Sequence, residues 1–124
     1  MERKIEVGAG QIALLRCTGT TINRYRALFN RDLIKDITEI QKKYSKIKEE
    51  EEKEFSREDL EIFMKIAYTM AYQYATANNI ENFPSNENDW LDTFDNVFSI
   101  YEIVPAVFEM WAESSKQLSV PKKK

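Results

Sequence analysis

Several residue types that commonly carry chemistry are absent or nearly absent from this 124-residue chain. It has no histidine, so the usual general base and the commonest metal ligand are missing. Its single cysteine, Cys17, cannot form an internal disulfide, and no second cysteine exists to help hold a structural zinc ion. There are three glycines and no glycine-rich loop. We therefore expect no catalytic residue, no cofactor and no metal, and we expect a protein that is not an enzyme.

Strong charge of one sign and long apolar runs are also missing. The net charge is -3 and the sequence pI is about 5.1, which gives no general attraction to the phosphates of nucleic acid. No apolar run is long enough for a signal peptide or a membrane span. The sequence therefore predicts a cytoplasmic protein with no nucleic-acid and no membrane partner.

Apolar residues, by contrast, are plentiful: 43% of the chain is hydrophobic and 12% is aromatic, enough for one packed core at this length. Short runs with β-branched residues at 4–7 and 11–18, separated by Gly8-Ala9-Gly10, predict two strands. No glycine follows Gly19, so helices are expected from there on. The predicted fold class is mainly α, a small helical bundle with a short N-terminal β-hairpin or strand pair.

Two helices are predicted on either side of Asn30. Thr20 or Thr21 can cap a first helix that ends at Phe29, because asparagine tolerates the left-handed conformation that stops a helix. Apolar residues then recur every three or four positions and predict a second, amphipathic helix. The members of this stripe are Leu33, Ile37, Ile40, Tyr44 and Ile47. The acidic run at 49–54 ends the pattern and is expected to be a frayed or solvated charged stretch, with an acidic contact to a partner as the alternative.

The third predicted helix is the most apolar. Residues 56–59 resemble a capping box, and residues 58–77 are apolar on nearly every side. A helix of this kind lies at the centre of a bundle or beneath a partner. We expect the other elements to pack around it. A last helix is predicted from Ser99 to about Ser115, and Pro105 should kink it or shift its start.

A short helix near 87–94 carries three carboxylates at equal spacing. Asp89, Asp92 and Asp95 would share one helical face, an arrangement that allows magnesium binding or paired-carboxylate chemistry. The neighbouring apolar residues favour a simpler interpretation, in which the three carboxylates form the solvated side of an amphipathic turn.

The charged residues between the first two helices also have two interpretations. Arg24, Arg26 and Arg31 around Tyr25 are compatible with a nucleic-acid patch, but nearby acidic residues favour ordinary ion pairs. Arg31 and Asp32 interrupt an apolar run, and charged residues beside a core are commonly half-buried and paired. A structural clamp between these two residues is the leading hypothesis, and a partner-docking pair is the second.

Aromatic residues exceed what one small bundle can bury, since the chain has fifteen of them. Exposed aromatic side chains together with methionine are typical of protein-binding grooves. We therefore expect a partner-binding surface in the C-terminal half, with the arginine-bearing face as the next candidate. The candidate residues are Trp90, Phe94, Tyr101 and Trp111, followed by Arg24, Tyr25 and Arg31.

Two blocks of sequence carry a family resemblance. Residues 24–34 (RYRALFNRDLI), then 90–95 (WLDTFD) and 97–105 (VFSIYEIVP) up to Trp111, resemble the tail assembly chaperones of long-tailed phages and prophages of Gram-positive bacteria. The resemblance extends from about Thr18 to Trp111. Asparagine stands at position 30 where the family pattern has glycine.

The resemblance implies a small, helical, non-catalytic protein of the host bacterial cytoplasm. It would bind the aggregation-prone tape measure protein, help recruit tail tube protein subunits, and leave before the virion is complete. Self-association is left open. The alternative, of a different class, is a small helical regulator that binds nucleic acid, which would require a basic face.

The end of the chain adds one expectation. We expect a single domain at 1–115, with strands in 1–19, and a disordered basic tail at 116–124. Lysine codons are adenine-rich, so Lys122 to Lys124 is a natural place for ribosomal slippage. The resemblance implies that a minority of ribosomes shift frame there and append a second domain. The alternative is a plain basic tail.

Overall fold

A computed structural model describes residues 1–45 and 56–119. Within these residues the elements follow in chain order: β1 (Glu2–Gly8), β2 (Gln11–Arg16), α1 (Thr21–Phe29), α2 (Leu33–Ser45), α3 (Arg57–Ala77), α4 (Glu87–Leu91) and α5 (Ser99–Ser119). The predicted class, mainly α with an N-terminal β-hairpin, is confirmed. The side chain of Tyr44, the linker with Ile47 and the acidic run, and the lysine tail lie outside the described residues.

The hairpin is an antiparallel pair joined by the two-residue turn Ala9-Gly10. Both turn residues have positive φ, 55° and 72°, as a type I′ turn requires. Val7 has no partner in the register and therefore forms a bulge in β1. The inner face of the hairpin is apolar and packs on the helices, with Val7, Ala13 and Leu15 fully buried.

The junction between α1 and α2 follows from two short polar residues. Asn30 adopts the left-handed conformation (φ 57°, ψ 42°), and its N–H donates to the carbonyl of Arg26 at 2.7 Å, which ends α1 as predicted. Asp32 Oδ1 then accepts hydrogen bonds from the amides of Ile34 and Lys35 at 3.1 and 3.3 Å, which starts α2. The buried stripe of α2 consists of Leu33, Ile37 and Ile40.

α3 is the central helix. Ser56 Oγ accepts a hydrogen bond from the amide of Asp59 at 3.1 Å, so the predicted cap is present. The helix contacts β2, α1, α5, α4 and α2. Its buried apolar side chains lie on several sides of the helix, as expected for a central element: Phe63, Ile66, Ala67, Tyr68, Met70, Ala71 and Ala75.

The last two helices depart from the predicted bounds. α4 ends at Leu91, earlier than predicted. α5 begins at Ser99 as predicted, so Pro105 does not shift its start, and the helix continues to Ser119, past the predicted end of the domain. β1 packs along α5, whereas β2 packs on α3. In the part of the chain that the structure describes, none of the helices combines the length and apolar character needed to cross a membrane.

Aromatic side chains fill much of the core around Tyr68. Its ring centroid lies 5.7–6.3 Å from those of Phe29, Tyr72, Phe83 and Trp90, so one cluster joins α1, α3 and α4. This cluster accommodates part of the aromatic excess that the sequence shows. Other aromatic side chains, among them Phe98, Tyr101 and Trp111, are exposed or half-buried.

Candidate partner-binding surfaces

The first surface is an open groove of about 850 Å³ where the base of the hairpin, α1, α2 and α5 meet. Its apolar lining consists of Met1, Cys17, Ile22, Ile34 and Trp111. Ile34 is 50% exposed and Met1 is 43% exposed, so two of these side chains contact water extensively. An open apolar groove of this size suits the side chains of a docking helix. We refer to it as the α2/α5 groove.

Local sequence explains why the groove is open. Ile34 and Thr38 are four positions apart and share one face of α2, beside its buried stripe. Gly19 also lines the groove, and a Cβ placed there would have no neighbour within 4 Å. Cys17 is 2% exposed, and Ser114 on α5 donates from Oγ to its sulfur at 3.6 Å. This contact holds α5 against the end of the hairpin at the edge of the groove.

The structure separates the four predicted aromatic candidates. Trp111 is half-buried and lines the α2/α5 groove. Phe94 is half-buried, with its ring centroid 5.6 Å from that of Trp90. Trp90 is only 4% exposed because α4 turns its indole into the cluster around Tyr68, so we assign it to the core and remove it from the binding surface. Tyr101, 40% exposed, belongs to a second surface.

This second surface consists of Val97, Phe98 and Tyr101, and we call it the tip patch. Val97 is 83% exposed and Phe98 is 62% exposed, and the rings of Phe98 and Tyr101 are 6.4 Å apart. Sequence reasoning did not select Val97 or Phe98 as candidates. The available signal was their position immediately before the predicted start of a helix at Ser99, where no helical face exists to bury them.

The arginine-bearing face is built around an internal clamp. Arg31 donates from Nε and Nη2 to the two carboxylate oxygens of Asp36 at 2.7 and 3.0 Å. The hydroxyl of Tyr25 donates to Asp36 Oδ2 at 2.7 Å, and both Tyr25 and Asp36 are buried. The prediction that Arg31 pairs with Asp32 is therefore wrong. Asp32 caps α2, and Asp36, one helical turn later, binds the guanidinium.

Electrostatics hold this clamp in one protonation state. Burial alone would raise the pKa of Asp36, but hydrogen bonds from Arg31 and Tyr25 outweigh it and hold that pKa below its usual range. Burial and the hydrogen bond to Asp36 raise the pKa of Tyr25. The hydrogen bonds to Asp36 also raise the pKa of Arg31. The clamp is a structural unit, and Tyr25 inside it does not reach a partner.

Arg24, the remaining candidate on this face, is half-buried and donates from Nε to Thr20 Oγ1 at 3.0 Å. Thr20 in turn lies within hydrogen-bonding distance of Gln73 Nε2, at 3.3 Å. The side chain of Arg24 therefore supports the start of α1.

The three equally spaced carboxylates do not form one helical face. Because α4 ends at Leu91, Asp92 occupies its C-cap, and the amide of Asp95 donates to Gln11 Oε1 on the hairpin at 2.7 Å. Asp89 lies inside α4, and its amide donates to the capping Asn86 at 2.8 Å. Across residues 1–45 and 56–119, no group of three or more Cys, Asp or Glu side chains is placed to hold a metal ion.

The fold and these two surfaces define a small, mainly α protein that presents apolar side chains to solvent at two separate places. A scan against models of protein families, a search of curated proteins and a search of solved structures each found no match to this chain.

Proposed function

We propose that this protein is a phage tail assembly chaperone that binds the tape measure protein during tail assembly. The observation that carries the proposal is the α2/α5 groove of about 850 Å³, whose apolar lining is open to solvent. Six of the ten residues that line the groove, among them Ile34 and Trp111, lie within the span of the sequence resemblance to that family. The resemblance supplies the identity of the partner, and the groove supplies a place for it to bind.

The groove suits a partner that is long, helical and apolar on one face. A docking helix inserts side chains at i, i+3 and i+4 into such a groove. Trp111 and Ile34 both line the groove, and an aromatic ring and a branched aliphatic side chain can contact such side chains. Covering the apolar face of the tape measure protein in this way would keep it from aggregating.

A chaperone must also release its partner. Polar groups line the groove beside the apolar ones, among them Thr18, Thr38 and Glu113. A mixed lining of this kind gives modest affinity, because buried area converts poorly into binding free energy when polar groups are imperfectly paired. Tail tube protein subunits that bind the same tape measure segments would then displace the chaperone.

A regulator that binds nucleic acid receives less support. Arg31 is held by Asp36, and Arg24 donates to Thr20, so two of the three arginines that prompted this alternative serve the fold. The net charge of -3 opposes the binding of a polyanion. We therefore propose the binding of a protein, not of a nucleic acid.

The test compares two exposed isoleucines. Ile34 lies in the groove and is 50% exposed, whereas Ile80 follows α3, is 44% exposed and does not line the groove. We expect Ile34→Ser to weaken binding of a tape measure segment by about 2 kcal/mol, roughly thirtyfold in Kd, if Ile34 is an anchor. Ile80→Ser should leave binding unchanged. The readout is the soluble yield of tape measure protein on co-expression, with Kd measured by calorimetry.

Both variants should fold, because each replaces a side chain that is already about half exposed, and circular dichroism checks this. Equal tape measure solubility with the wild type, Ile34→Ser and no chaperone at all would contradict the proposal. Binding of duplex DNA or structured RNA that is lost in Arg24→Gln would instead support the regulator.

A further inference from the structure

The tip patch is a group of neighbouring apolar side chains that are all exposed. Val97 is 83% exposed, Phe98 is 62% exposed and Tyr101 is 40% exposed, whereas the intervening Ser99 and Ile100 are buried. Single exposed apolar residues are normal on protein surfaces, but a contiguous group with two aromatic rings is typical of an interaction site. The buried Ser99 and Ile100 help to fix the direction in which Phe98 and Tyr101 point.

The backbone that carries the tip patch is held by side chains from two directions. Gln11 on β2 donates from Nε2 to the carbonyl of Thr93 at 2.9 Å, and its Oε1 accepts from the amide of Asp95 at 2.7 Å. Asn96 Nδ2 donates to the carbonyl of Val7 at 2.8 Å. Asn96 Oδ1 accepts from the amide of Phe98 at 3.0 Å. A loop ordered in advance loses less conformational entropy when a partner binds.

The charged residues near the patch along the chain have one sign. Residues 66–115 contain eight aspartates and glutamates and not one lysine or arginine. Three of these carboxylates are exposed near the patch along the chain: Asp92 and Asp95 lie five and two positions before Val97, and Glu102 directly follows Tyr101. Among the described residues, ion pairs join Arg3 to Glu109 at 2.8 Å and Lys65 to Glu87 at 3.5 Å. The charged residues that flank the apolar patch along the chain, which we call its rim, are therefore acidic.

The tip patch and the α2/α5 groove are separate surfaces. Tyr101 and Trp111 are ten positions apart on α5, which corresponds to about 15 Å along a helix. None of the three patch residues lines the groove. A partner seated in the groove therefore leaves the patch exposed.

We propose that the tip patch is a second docking site, which takes a protein segment with apolar or aromatic side chains flanked by lysine or arginine. Complementary charge speeds association and selects the partner, while the apolar centre supplies most of the affinity. A second copy of this chain is a poor occupant, because two acidic rims would oppose each other across a two-fold interface. This inference goes beyond the proposed function and does not depend on the identity of the groove's ligand.

The test uses two synthetic helix-forming peptides with the same face of leucine and phenylalanine. One is flanked by lysines and the other by glutamates, and binding to the full chain is followed by fluorescence anisotropy of a dye on each peptide. We expect the lysine-flanked peptide to bind at least about tenfold more tightly, with an advantage that shrinks as salt is raised. Equal binding of both peptides, or no binding of either, would overturn the proposal.

Variants assign the binding to the patch. Phe98→Ser should weaken binding of the lysine-flanked peptide at least about tenfold, and Ile80→Ser should not change it. The double variant Asp95→Asn, Glu102→Gln should remove much of the salt dependence while leaving the apolar contribution in place.

Analytical ultracentrifugation of the wild type and Phe98→Ser tests whether a second copy of this chain covers the patch. A wild-type dimer that Phe98→Ser converts to a monomer would show that a second copy covers the patch, and the proposal would be wrong. Loss of peptide binding in Ile34→Ser with full binding in Phe98→Ser would place the peptide in the groove and overturn it as well. Failure of the tape measure experiment alone would leave this result unaffected.

Discussion

At the scale of single residues, Asp36 illustrates how a charge is stabilised at the edge of the core. Its carboxylate is 5% exposed, and burial of an unpaired carboxylate would be costly. Three hydrogen bonds from Arg31 and Tyr25 compensate for this, each between 2.7 and 3.0 Å. The guanidinium remains 43% exposed, so the clamp is in contact with water on one side. It joins the middle of α1 and the α1–α2 connection to the first turn of α2.

We expect Asp36→Asn to lower the free energy of unfolding by about 2 kcal/mol at neutral pH, since hydrogen bonds to a charged group are lost. The pKa of Asp36 is lowered in the folded state, so its contribution is fully present above the unfolded-state pKa, about 4, and is lost as pH falls through the folded value. The difference between wild type and variant should therefore shrink in acid. Urea unfolding at several pH values measures it.

Asp32→Asn is the matched control. Asp32 caps α2 through its side-chain oxygen, and asparagine caps helices about equally well, so this change should cost less than about 0.5 kcal/mol. A larger cost for Asp32→Asn than for Asp36→Asn would show that the clamp has been assigned to the wrong carboxylate.

At the scale of secondary-structure elements, the contact between the hairpin and the loop before α5 positions the tip patch. Gly8 has φ +100°, and a Cβ at that position would lie 2.8 Å from Asn96 Nδ2. The same Asn96 nitrogen donates to the carbonyl of Val7. Glycine is therefore required at position 8 for two reasons: the positive φ of the backbone and the close approach of Asn96.

We expect Gly8→Ala to destabilise the fold by about 2 kcal/mol, through backbone strain and displacement of Asn96. Gly10→Ala is the control, because its φ is also positive, +72°, while nothing lies within 4 Å of an added Cβ. It should cost only the strain, about 1 kcal/mol. Thermal unfolding gives the two values. Gly8→Ala should also weaken peptide binding at the tip patch, and equal effects of both variants on binding would contradict this role for the junction.

Most elements could be predicted from the sequence because local signals determine them. The left-handed Asn30 ends α1, the Ser56 cap begins α3, and the apolar character of α3 places it at the centre. The partner of Arg31 could not be predicted, because Asp32 and Asp36 are both near in sequence and only the start of α2 decides which one faces the guanidinium. The ends of α4 and α5 also differ from the predicted ones.

The polar contacts inside the core could not be predicted from the sequence either. Thr21 Oγ1 donates to Gln73 Oε1 at 2.7 Å, and Gln73 Nε2 donates to Thr18 Oγ1 at 2.6 Å, so a buried network joins the start of α1 to α3. In the sequence, Gln73 looks like an ordinary polar residue in an apolar helix. Its role depends on a partner 52 residues away, which no local pattern reveals.

At the scale of the whole molecule, the binding surfaces were only partly predictable. An aromatic-rich sequence shows that some rings will reach the surface but not which ones. Trp90 turned inward on α4, whereas Tyr101 and Trp111 turned toward solvent on α5. Ile34 and Val97 carry no aromatic signal and were missed. Exposure depends on how the elements pack, and that is settled only by the complete fold.

The two surfaces should also respond independently to their ligands. A ligand that binds only the folded state raises the free energy of unfolding by about 2.7 kcal/mol when present at a hundredfold excess over its Kd. Groups more than about 10 Å apart with no shared partner usually act additively, and the groove and the patch are about 15 Å apart along α5. A tape measure segment and the lysine-flanked peptide should therefore stabilise the wild type by amounts that add.

The same reasoning gives opposite patterns in the two surface variants. Ile34→Ser should lose the stabilisation by the tape measure segment and keep that by the peptide, whereas Phe98→Ser should do the reverse. Thermal unfolding with each ligand alone and with both measures all the shifts in one experiment. A single surface would predict competition, in which the second ligand adds nothing to the first and either substitution removes both effects. Additive shifts together with the crossed pattern would require two sites on one small domain, one for an apolar helix and one for a basic segment.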